Sequence, residues 1–343
     1  MSRTEMKKVR VFLPTYRRNR LLERSLGSLL AQSCKDWFCE VHNDDPSDPF
    51  PSELVAKVAD ARIRTVNHAK NLGGGASMNA FYGPIKEEFF SILEDDNWWE
   101  PEFLGSMLQA AERHPKINVF WANMRIWNED AHGEFQDTGK TIHPWDGKTM
   151  YEEIAWPDPR QIMGGVHSNG ACLIRAGGDS DYRIPKVPFA TIEMFRERCF
   201  PHPLLLLRKP LANFSVTLKS ERANDMLTDW GVATALLAAT FFRHASWPGN
   251  EMQKTLIQGR QKQPPPTNTL LNAGLIEPKC RIFFQTATPK EKLKWILGFV
   301  RRPSLPFRLL SSKRLHPDWW SFLNQHTKDR FREARLQSQS KES

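Results

Sequence analysis

The sequence predicts an α/β protein whose mainly parallel sheet is flanked by helices. Short apolar runs typical of strands alternate with segments whose apolar residues recur at helical spacing, the pattern of repeated βαβ units. Polar clusters follow three of the predicted strands at their carboxyl ends. The last third of the chain lacks strand patterns, which indicates a mostly helical extension.

Each predicted element in residues 1–124 has a local signal. Apolar runs indicate strands, whereas leucines three or four positions apart, as at 22–30, indicate an amphipathic helix. Pro14 should end the first strand, because proline cannot donate a sheet hydrogen bond. In chain order, the predicted elements are strand 9–13, helix 22–30, strand 37–42, a short helix from 51, strand 63–66, a helix after 73–75, strand 89–93, helix 101–114 and strand 119–122.

The rest of the chain is less regular up to about residue 222 and helical beyond it. We therefore predict a first domain over 1–222, in halves 1–124 and 125–222, and a basic, mostly helical region over 223–343. Further predictions, in chain order, are a loop leading into a strand at 162–175, a helical run at 233–242, a Pro-rich linker near 261–267, a helix at 290–300 and a disordered polar tail at 337–343.

Composition excludes several classes of protein. Hydrophobic residues make up 40% of the 343 residues and charged residues 25%, as in ordinary folded proteins. The five cysteines form no CxxC pair, which argues against a zinc ribbon or disulfide framework and fits a reducing compartment. The longest apolar run, 232–242, is shorter than the ~18 residues that span a bilayer. Because 1–8 also lacks a signal-peptide pattern, we expect a cytoplasmic protein.

The net charge of +9 is concentrated at the end of the chain. Residues 281–343 hold 14 Lys/Arg and 5 Asp/Glu, so 1–280 are balanced. Within this block, 290–302 have the pattern of a basic amphipathic helix. Such a helix fits peripheral contact with an anionic inner membrane face, or packing on the first domain, and we favour packing. No nucleic-acid-binding motif accompanies it, so no nucleic-acid partner is expected.

The acidic run 94–96 is the strongest functional signal. Asp95 and Asp96 follow an apolar strand and precede Trp98 and Pro101. Carboxylates at a strand end can hold Mg²⁺ or Mn²⁺, which prefer oxygen ligands and stabilise the charge on a departing diphosphate. An isolated acidic triplet is more often a turn whose aspartate caps the next helix. The polar clusters at two other strand ends, on the same rim of the sheet, favour the metal.

Two further motifs accompany the acidic run. Asp44 and Asp45 end the second strand, where a carboxylate can accept hydrogen bonds from a ribose hydroxyl or a base N–H. The same residues before Pro46 also fit an Asx turn. The glycine-rich run 71–79 lets backbone N–H groups approach a phosphate or a sugar, although it matches neither GxGxxG nor a P-loop.

Together these residues resemble family 2 glycosyltransferases of the GT-A fold, over residues 9–104. The similar features are the first strand with its Pro-Thr-Tyr ending, the helix that ends in SLLAQS, the aspartates of the second strand, the run 71–79, and the acidic run with its following Trp and Pro. The resemblance implies a Rossmann-like, mixed but mainly parallel sheet, with a donor half at 1–124 and an acceptor half at 125–222. It also implies a nucleotide diphosphate sugar donor, UDP-linked, a divalent metal, a glycan or lipid-linked acceptor, and inversion at the anomeric carbon.

The resemblance assigns roles residue by residue. Asp96 would be the ligand of Mn²⁺ or Mg²⁺, whereas Glu94 departs from the family's usual aspartate and receives no role. The family's downstream histidine is absent from 211–219, so the metal would rely on Asp96, the diphosphate and water. The expected nucleotide-sugar-binding residues are Pro14, Thr15, Tyr16, Arg17, Asp44, Asp45, Asn71, Gly73, Asn79 and Asp95.

The resemblance also locates a candidate general base. An inverting transfer needs a carboxylate that takes the proton of the acceptor hydroxyl. The family places it at a helix start after a Gly-rich acceptor loop, and there Glu193 is the nearest carboxylate. The family's paired acidic signature is missing, and Glu193 also fits a surface helix residue. Asp179 and Asp181 are fallback candidates, and His167 could line the acceptor pocket.

Two other functions fit part of the pattern. A GT-A-like nucleotide-binding module that has lost catalysis would explain the missing acidic pair near Thr191. A nucleotidyltransferase shares an acidic metal site, but it needs a Gly-rich basic loop after the first strand. The residues 14–16 are not of that kind, so we rank this function last.

Overall fold

The computed structural model describes residues 8–177, 181–218 and 226–342, and the chain divides into two units. The first unit contains the residues up to 155 together with two later segments, 167–183 and 201–221. The second unit contains 222–343 and takes in 156–166 and 184–200 from the middle of the chain. Each unit has a hydrophobic core of its own.

The first unit is built on a mixed ten-stranded sheet. Its strands are β1 (Val9–Thr15), β2 (Trp37–Asn43), β3 (Ile63–Asn67), β4 (Phe89–Ile92), β5 (Trp98–Trp99), β6 (Val119–Glu129), β7 (Phe135–Thr141), β8 (Tyr151–Ile154), β9 (Cys172–Arg175) and β10 (Leu204–Val216). They lie in the order β3-β2-β1-β4-β9-β6-β10-β5, with β7 beside β6 and β8 beside β10. Strands β1 to β4 are parallel to one another, whereas β9 runs antiparallel between β4 and β6. The carboxyl ends of β1, β2, β3 and β4 therefore share one edge.

Helices cover this sheet through apolar stripes. The helices of the first unit are α1 (Asn19–Leu30), α2 (Phe50–Val58), α3 (Gly74–Ala80) and α4 (Phe103–Arg113). On α1, Leu22, Leu26 and Leu29 are buried at the three- and four-residue spacing that the sequence shows. Full burial of one such side chain stabilises the fold by about 1.5–3 kcal/mol, which fixes α1 against the strands that carry the polar clusters.

Strand β1 runs further than predicted, because Pro14 does not end it. Pro14 pairs with His42 of β2, and the strand continues to Thr15. Phe12, two positions earlier, accepts a hydrogen bond from the N–H of Leu93 on the side of β4. Pro14 directs its backbone to that same side, but β4 has already ended there. No sheet hydrogen bond is lost, so a proline is tolerated at this position.

The second unit is helical. Its helices are α5 (Ile192–Cys199), α6 (Met226–His244), α7 (Gly249–Gly259), α8 (Thr267–Ile276), α9 (Ile282–Thr286), α10 (Pro289–Arg301), α11 (Ser304–Leu310), α12 (Ser312–Leu315) and α13 (Pro317–Glu342). Aromatic rings dominate its core. The ring of Trp156 lies 5.4 Å from Phe241 of α6 and 5.5 Å from Phe331 of α13. This contact shows why a segment from the middle of the chain belongs to the helical unit.

The structure confirms the predicted fold class and differs from several predicted boundaries. The division at 222/223 misses 156–166 and 184–200, which pack with the second unit. The described part of the polar tail 337–343, predicted as disordered, is helical through Glu342, because no glycine or proline interrupts α13 there. Ser343 lies outside the described residues. The Pro-rich segment near 261–267 joins α7 to α8, which starts at Thr267.

In 8–177, 181–218 and 226–342, no helix is both long enough and apolar enough to cross a bilayer.

Candidate active site

The polar clusters after β1, β2 and β4 are joined by two successive arginines. Arg17 Nε donates to Asp45 Oδ2 at 2.6 Å. Arg18 Nη1 donates to Asp96 Oδ2 at 2.6 Å and to Asp95 Oδ1 at 3.2 Å. Arg17 has a φ of 55°, in the left-handed region that is uncommon for residues other than glycine. The side chains of Arg17 and Arg18 reach different carboxylates. Residues from all three predicted clusters thus meet at one edge of the sheet.

The Asp95–Asp96 pair concentrates negative charge in a partly buried position. Burial, followed by repulsion from Asp96, raises the pKa of Asp95 to about 7, while Arg18 and the Thr15 hydroxyl act in the opposite direction. One guanidinium therefore balances only part of the charge of two carboxylates. In the described part of the chain, no group of three or more His, Cys, Asp or Glu side chains is arranged to hold a metal.

The acidic pair fits a divalent cation in its chemistry. Mg²⁺ and Mn²⁺ take oxygen ligands and commonly bind through one or two carboxylates together with substrate phosphates. A cationic group, the guanidinium of Arg18, already lies against both carboxylates. The Asp96 side chain is 21% exposed and that of Asp95 only 9%, so Asp96 is the more accessible ligand. Its role as metal ligand remains a prediction.

Helix α1 holds the backbone of the acidic run. Ser25 Oγ donates to the carbonyl of Asp95 at 2.7 Å, and Arg24 Nη2 donates to the carbonyl of Asp96 at 2.7 Å. Sequence reasoning missed these two residues and Arg18. The sequence could have indicated them, because all three lie in or just before α1, and α1 directly follows the polar end of the first strand. Their side chains therefore fix the peptide groups of the acidic run.

Glu94, which has no role in the prediction from the sequence, connects the acidic run to a later segment. Its Oε2 accepts a hydrogen bond from Asn97 Nδ2 at 2.7 Å, and Asn97 Oδ1 accepts one from the N–H of Ser215 at 3.0 Å. Gly170 lies directly against this pair, since an added Cβ would sit 2.5 Å from Glu94 Oε2 and 2.9 Å from Asn97 Nδ2. The carbonyl of Gly170 also accepts a hydrogen bond from Trp99 Nε1 at 2.8 Å. Only glycine fits here without displacing the acidic run.

We expect Gly170→Ala to destabilise the first unit by about 1–3 kcal/mol, because the methyl group must displace Glu94 and Asn97. Thermal unfolding of the purified chain measures this loss. Gly27→Ala is the matched control: Gly27 lies in α1 with nothing within 4 Å of an added Cβ, so alanine there should be neutral or stabilising by up to about 1 kcal/mol. Equal melting temperatures for both variants would contradict the packing argument.

The segment before β9 is tied to the same part of the sheet. Tyr82 Oη donates to Asn169 Oδ1 at 2.5 Å, and both residues are buried. His167 is only 4% exposed. Little of its side chain is therefore available to line an acceptor pocket, the function that the sequence suggested for it.

Asp44 organises the glycine-rich loop. Its Oδ1 accepts the N–H of Leu72 at 2.8 Å and its Oδ2 accepts the N–H of Gly73 at 3.0 Å. His68 Nδ1 lies 2.9 Å from the same Oδ1. Gly73 has a φ of 77°, which favours glycine, and it immediately precedes α3. Both oxygens of Asp44 are thus engaged by protein groups, and its carboxylate sets the path of the loop.

Asp45 is engaged by Arg17, which follows β1, and by Ser47 of its own loop. The hydrogen bond from Arg17, together with those from the hydroxyl and N–H of Ser47, lowers its pKa to about 2. It therefore stays ionised at any physiological pH. An anionic ligand at this rim would meet Arg17, whose side chain is 63% exposed, rather than the carboxylate.

The remaining predicted donor residues differ in accessibility. Thr15 is buried, whereas Tyr16 is half-buried and its ring centroid lies 5.1 Å from the guanidinium of Arg17. Asn71 is exposed in the loop, and Asn79 is half-buried on α3. Tyr16 and Asn71 are thus accessible to a ligand, and their contact with a nucleotide sugar remains a prediction.

A cavity of about 360 Å³ opens beside the acidic run and is lined by Arg20, Leu21, Arg24, Trp98, Glu134 and Phe135. The guanidinium carbon of Arg24 lies 3.9 Å from the ring centroids of both Trp98 and Phe135. Burial lowers the pKa of Arg24 to about 10, so it remains a cation at neutral pH. The guanidinium of Arg24 thus stacks on both aromatic rings that line the cavity.

The candidate general base lies in the second unit. Glu193 occupies the first turn of α5, where the helix dipole favours a carboxylate. It is half-buried, and an added Cβ at Gly165 would sit 3.4 Å from it. Of the fallback candidates, Asp181 is ion-paired with Arg183, and Asp179 lies outside the described residues. The role of Glu193 remains a prediction.

The segment around the acidic run is similar to a known protein family. Residues 10–162 match the family model described as Glycosyl transferase family 2. These residues, less than half of the chain, are thus similar to family 2 glycosyltransferases. The matched residues include the ends of β1, β2 and β4 with the acidic run, the residues that carried the resemblance in the sequence.

Curated relatives cover the same part of the chain. The succinoglycan biosynthesis protein ExoW of Rhizobium meliloti (strain 1021) is 29% identical over 35% of this chain and 38% of its own length. The Escherichia coli protein WfgD, named UDP-Glc:alpha-D-GlcNAc-diphosphoundecaprenol beta-1,3-glucosyltransferase, is 22% identical over 36% of this chain and 48% of its own length. The chain spans less than half the length of either relative. The predicted enzyme class, glycosyltransferase, is the class that the family model describes and that the name of WfgD states.

Solved structures extend the likeness to the fold. The crystal structure of S. aureus TarS 1-349 has a TM-score of 0.56 at 14% identity, over 97% of this chain and 91% of that one. The TarS complex with UDP-GlcNAc has a TM-score of 0.52 at 14% identity, over 97% and 92%. At such identity the likeness concerns the fold alone, and it confirms the predicted GT-A fold class.

Proposed function

We propose that this chain transfers a sugar from a nucleotide diphosphate sugar, UDP-linked, to a glycan or lipid-linked acceptor. The observation that carries the proposal is the Asp95–Asp96 pair at the carboxyl end of β4, faced by Arg18. Two related proteins support the choice of substrates. TarS has been crystallised with UDP-GlcNAc, and the name of WfgD states a UDP-Glc donor and a diphosphoundecaprenol-linked acceptor.

In this proposal the rim of the sheet binds the donor. Asp96 would hold Mn²⁺ or Mg²⁺ next to the more deeply buried Asp95. The cation, when bound, would supply positive charge beside the departing diphosphate. Arg17 and Arg18 add guanidinium groups that can bind phosphate oxygens. Asp44 holds the loop that leads into α3, so the predicted sugar contacts of that loop are presented on a fixed backbone. Each of these groups binds or orients the donor rather than reacting with it.

The acceptor reaction needs a proton acceptor, which we propose is Glu193. The acceptor hydroxyl oxygen forms its bond to the anomeric carbon while the bond from that carbon to the diphosphate oxygen breaks. The hydroxyl proton passes to the carboxylate of Glu193, and the nucleoside diphosphate leaves with the bonding electrons. A single displacement of this kind inverts the anomeric centre.

Arg18→Gln tests whether the guanidinium competes with a metal ion for the acidic pair. Without metal, the variant should be less stable than wild type by about 1–3 kcal/mol, because two partly buried carboxylates lose their counter-charge. Added Mn²⁺ should then raise its melting temperature more than it raises that of wild type, since no cation has to be displaced. Thermal shift with and without Mn²⁺ measures both effects.

Arg17→Gln is the control for this prediction, because the neighbouring side chain pairs with Asp45 and not with the acidic pair. Its response to Mn²⁺ should equal that of wild type. If Mn²⁺ also raises the melting temperatures of Arg18→Gln and wild type equally, then Arg18 does not occupy a metal-binding position.

A thermal-shift screen of nucleotide sugars with and without Mn²⁺ tests the proposed donor, since a bound ligand stabilises the folded state. We expect metal-dependent stabilisation by UDP or a UDP-sugar, followed by transfer in an assay with glycan and lipid-linked acceptors. The missing acidic pair near Thr191 favours one other candidate, a nucleotide-binding module without catalysis. Binding of UDP without any turnover over a wide donor and acceptor panel would support that module instead.

A further inference from the structure

Helix α10 presents an apolar stripe to solvent. Leu293, Ile296, Leu297 and Val300 are 58%, 52%, 52% and 74% exposed. Their spacing of three, four and seven residues places them on one face of the helix. None of the residues of α10 is buried. A four-residue apolar face in water is unfavourable, and in a folded chain such a face commonly marks a contact surface.

The stripe belongs to a helix that is anchored in its unit. The ring of Trp295, on the opposite side of α10, lies 5.4 Å from Phe284 of α9. Its Nε1 donates to Asn272 Oδ1 at 2.8 Å. A capping box between Thr288 and Glu291 fixes the helix start. The helix therefore packs within its own unit through its Trp295 side and exposes the other side.

The next helix repeats this arrangement. In α11, Leu305 and Leu309 are 6% and 1% exposed and lie one turn apart, so this face is packed. Phe307 and Leu310, three residues apart, are 61% and 67% exposed. Helices α10 and α11 are in contact with each other. We call the six exposed residues of the two helices, with the basic residues among them, the α10–α11 surface.

Basic side chains border the stripe. Residues 289–314 contain eight Lys/Arg and one acidic residue, Glu291, which is paired with Arg260 at 2.8 Å. At 100° per residue, Lys290, Lys294 and Arg301 fall along one border of the stripe on α10. In the part of the chain that the structure describes, none of these three has a carboxylate oxygen within 4.0 Å, and all three are exposed. The surface thus combines apolar groups with unbalanced positive charge.

We propose that the α10–α11 surface docks on an anionic lipid bilayer, with the two helices lying in the plane of the membrane interface. Apolar side chains would enter the boundary of the acyl chains, while the long stems of the lysines and arginines keep their charges at the lipid phosphates. A second copy of the chain is a poorer occupant, because a symmetric contact would bring the same uncompensated positive charge against itself. A lipid surface supplies both an apolar phase and the opposite charge.

Vesicle flotation of the purified full chain tests this docking. Phosphatidylcholine vesicles containing about one third phosphatidylglycerol are compared with pure phosphatidylcholine vesicles. We expect wild type to float with the anionic vesicles only, and raised salt to release it, because surface charge attraction is screened. Leu293→Gln/Leu297→Gln/Val300→Gln should weaken binding by at least about tenfold through the lost apolar area. Lys290→Gln/Lys294→Gln/Arg301→Gln should weaken it by about fivefold or more per charge.

The matched control is Ile257→Gln/Leu336→Gln, which removes two exposed apolar side chains of the same unit outside the surface. It should float like wild type, and all variants should keep the wild-type melting temperature because every replaced side chain is exposed. Binding that ignores lipid charge, or equal binding by all variants, overturns the proposal. A wild-type dimer in sedimentation that the apolar variant abolishes, without vesicle binding, would assign the surface to a second copy. The assay measures binding without transfer, so its failure leaves the proposed enzymatic function untouched.

Discussion

Replacing Asp96 by Asn should reduce sugar transfer by roughly 10³-fold while leaving the fold intact. Asparagine keeps the shape of the side chain but removes the charge that a divalent cation needs. The backbone of Asp96 stays in place, because its carbonyl is held by Arg24 and the side-chain hydroxyl of Ser215. The neighbouring carboxylate, Asp95, also keeps Arg18 as its partner. Loss of function without loss of stability is therefore the expected signature.

Two measurements separate this prediction from a general defect. Calorimetric titration with UDP should show metal-dependent binding in wild type and little metal dependence in Asp96→Asn. The melting temperature should be unchanged or slightly higher, since the charge of Asp96 opposes ionisation of Asp95. Asp137→Asn, an exposed aspartate on β7, is the control and should behave as wild type. Transfer and metal-dependent UDP binding at wild-type levels in Asp96→Asn would remove the metal from the proposed mechanism.

The rim of the sheet was predictable from the sequence because two simple patterns determine it. Apolar runs such as 89–93 must be buried, and parallel strands joined by helices end at a common edge. The polar residues that follow these runs are then neighbours in space, as the contacts of Arg17 with Asp45 and of Arg18 with Asp96 show. Both steps depend on the periodicity of the chain and not on any particular contact.

The partners of each polar group could not be predicted in the same way. Asp44 and Asp45 are adjacent and of one type, yet Asp44 holds the loop N–H groups of Leu72 and Gly73, whereas Asp45 holds Arg17. The difference arises from where each oxygen points at the end of β2, which composition does not specify. A carboxylate that the sequence suggests as a ligand contact can therefore already be used by the protein itself.

The sequence also does not predict which hydrophobic core buries a segment from the middle of the chain. Trp156 is a large apolar residue that must be buried, but nothing near it in the sequence specifies which core receives it. The structure buries it among the aromatic rings of α6 and α13, so its segment belongs to the helical unit. The core in which Trp156 is buried depends on residues more than 80 positions away, and local periodicity does not predict such distant contacts.

Replacing Glu193 by Gln should reduce transfer by about 10²–10⁴-fold and leave donor binding unchanged. Glutamine is isosteric with glutamate but cannot accept the proton of the acceptor hydroxyl. The side chain is half-buried in the first turn of α5, so the substitution should not disturb the core of the second unit. UDP titration in the presence of Mn²⁺ and the transfer rate as a function of pH measure the two effects. The acidic limb of the pH profile, which reports ionisation of the base, should disappear in the variant.

Asp181→Asn is the matched test of the fallback carboxylate, which is already paired with Arg183. If Asp181→Asn loses transfer and its pH limb while Glu193→Gln keeps both, the base assignment moves to Asp181. Combined with Asp96→Asn, the two variants separate the halves of the mechanism. Loss of the metal ligand should abolish metal-dependent donor binding together with transfer, whereas loss of the base should abolish transfer alone. If wild type and Glu193→Gln bind the donor equally well and neither transfers sugar, the protein behaves as a binding module. No proton-accepting group then contributes to its function.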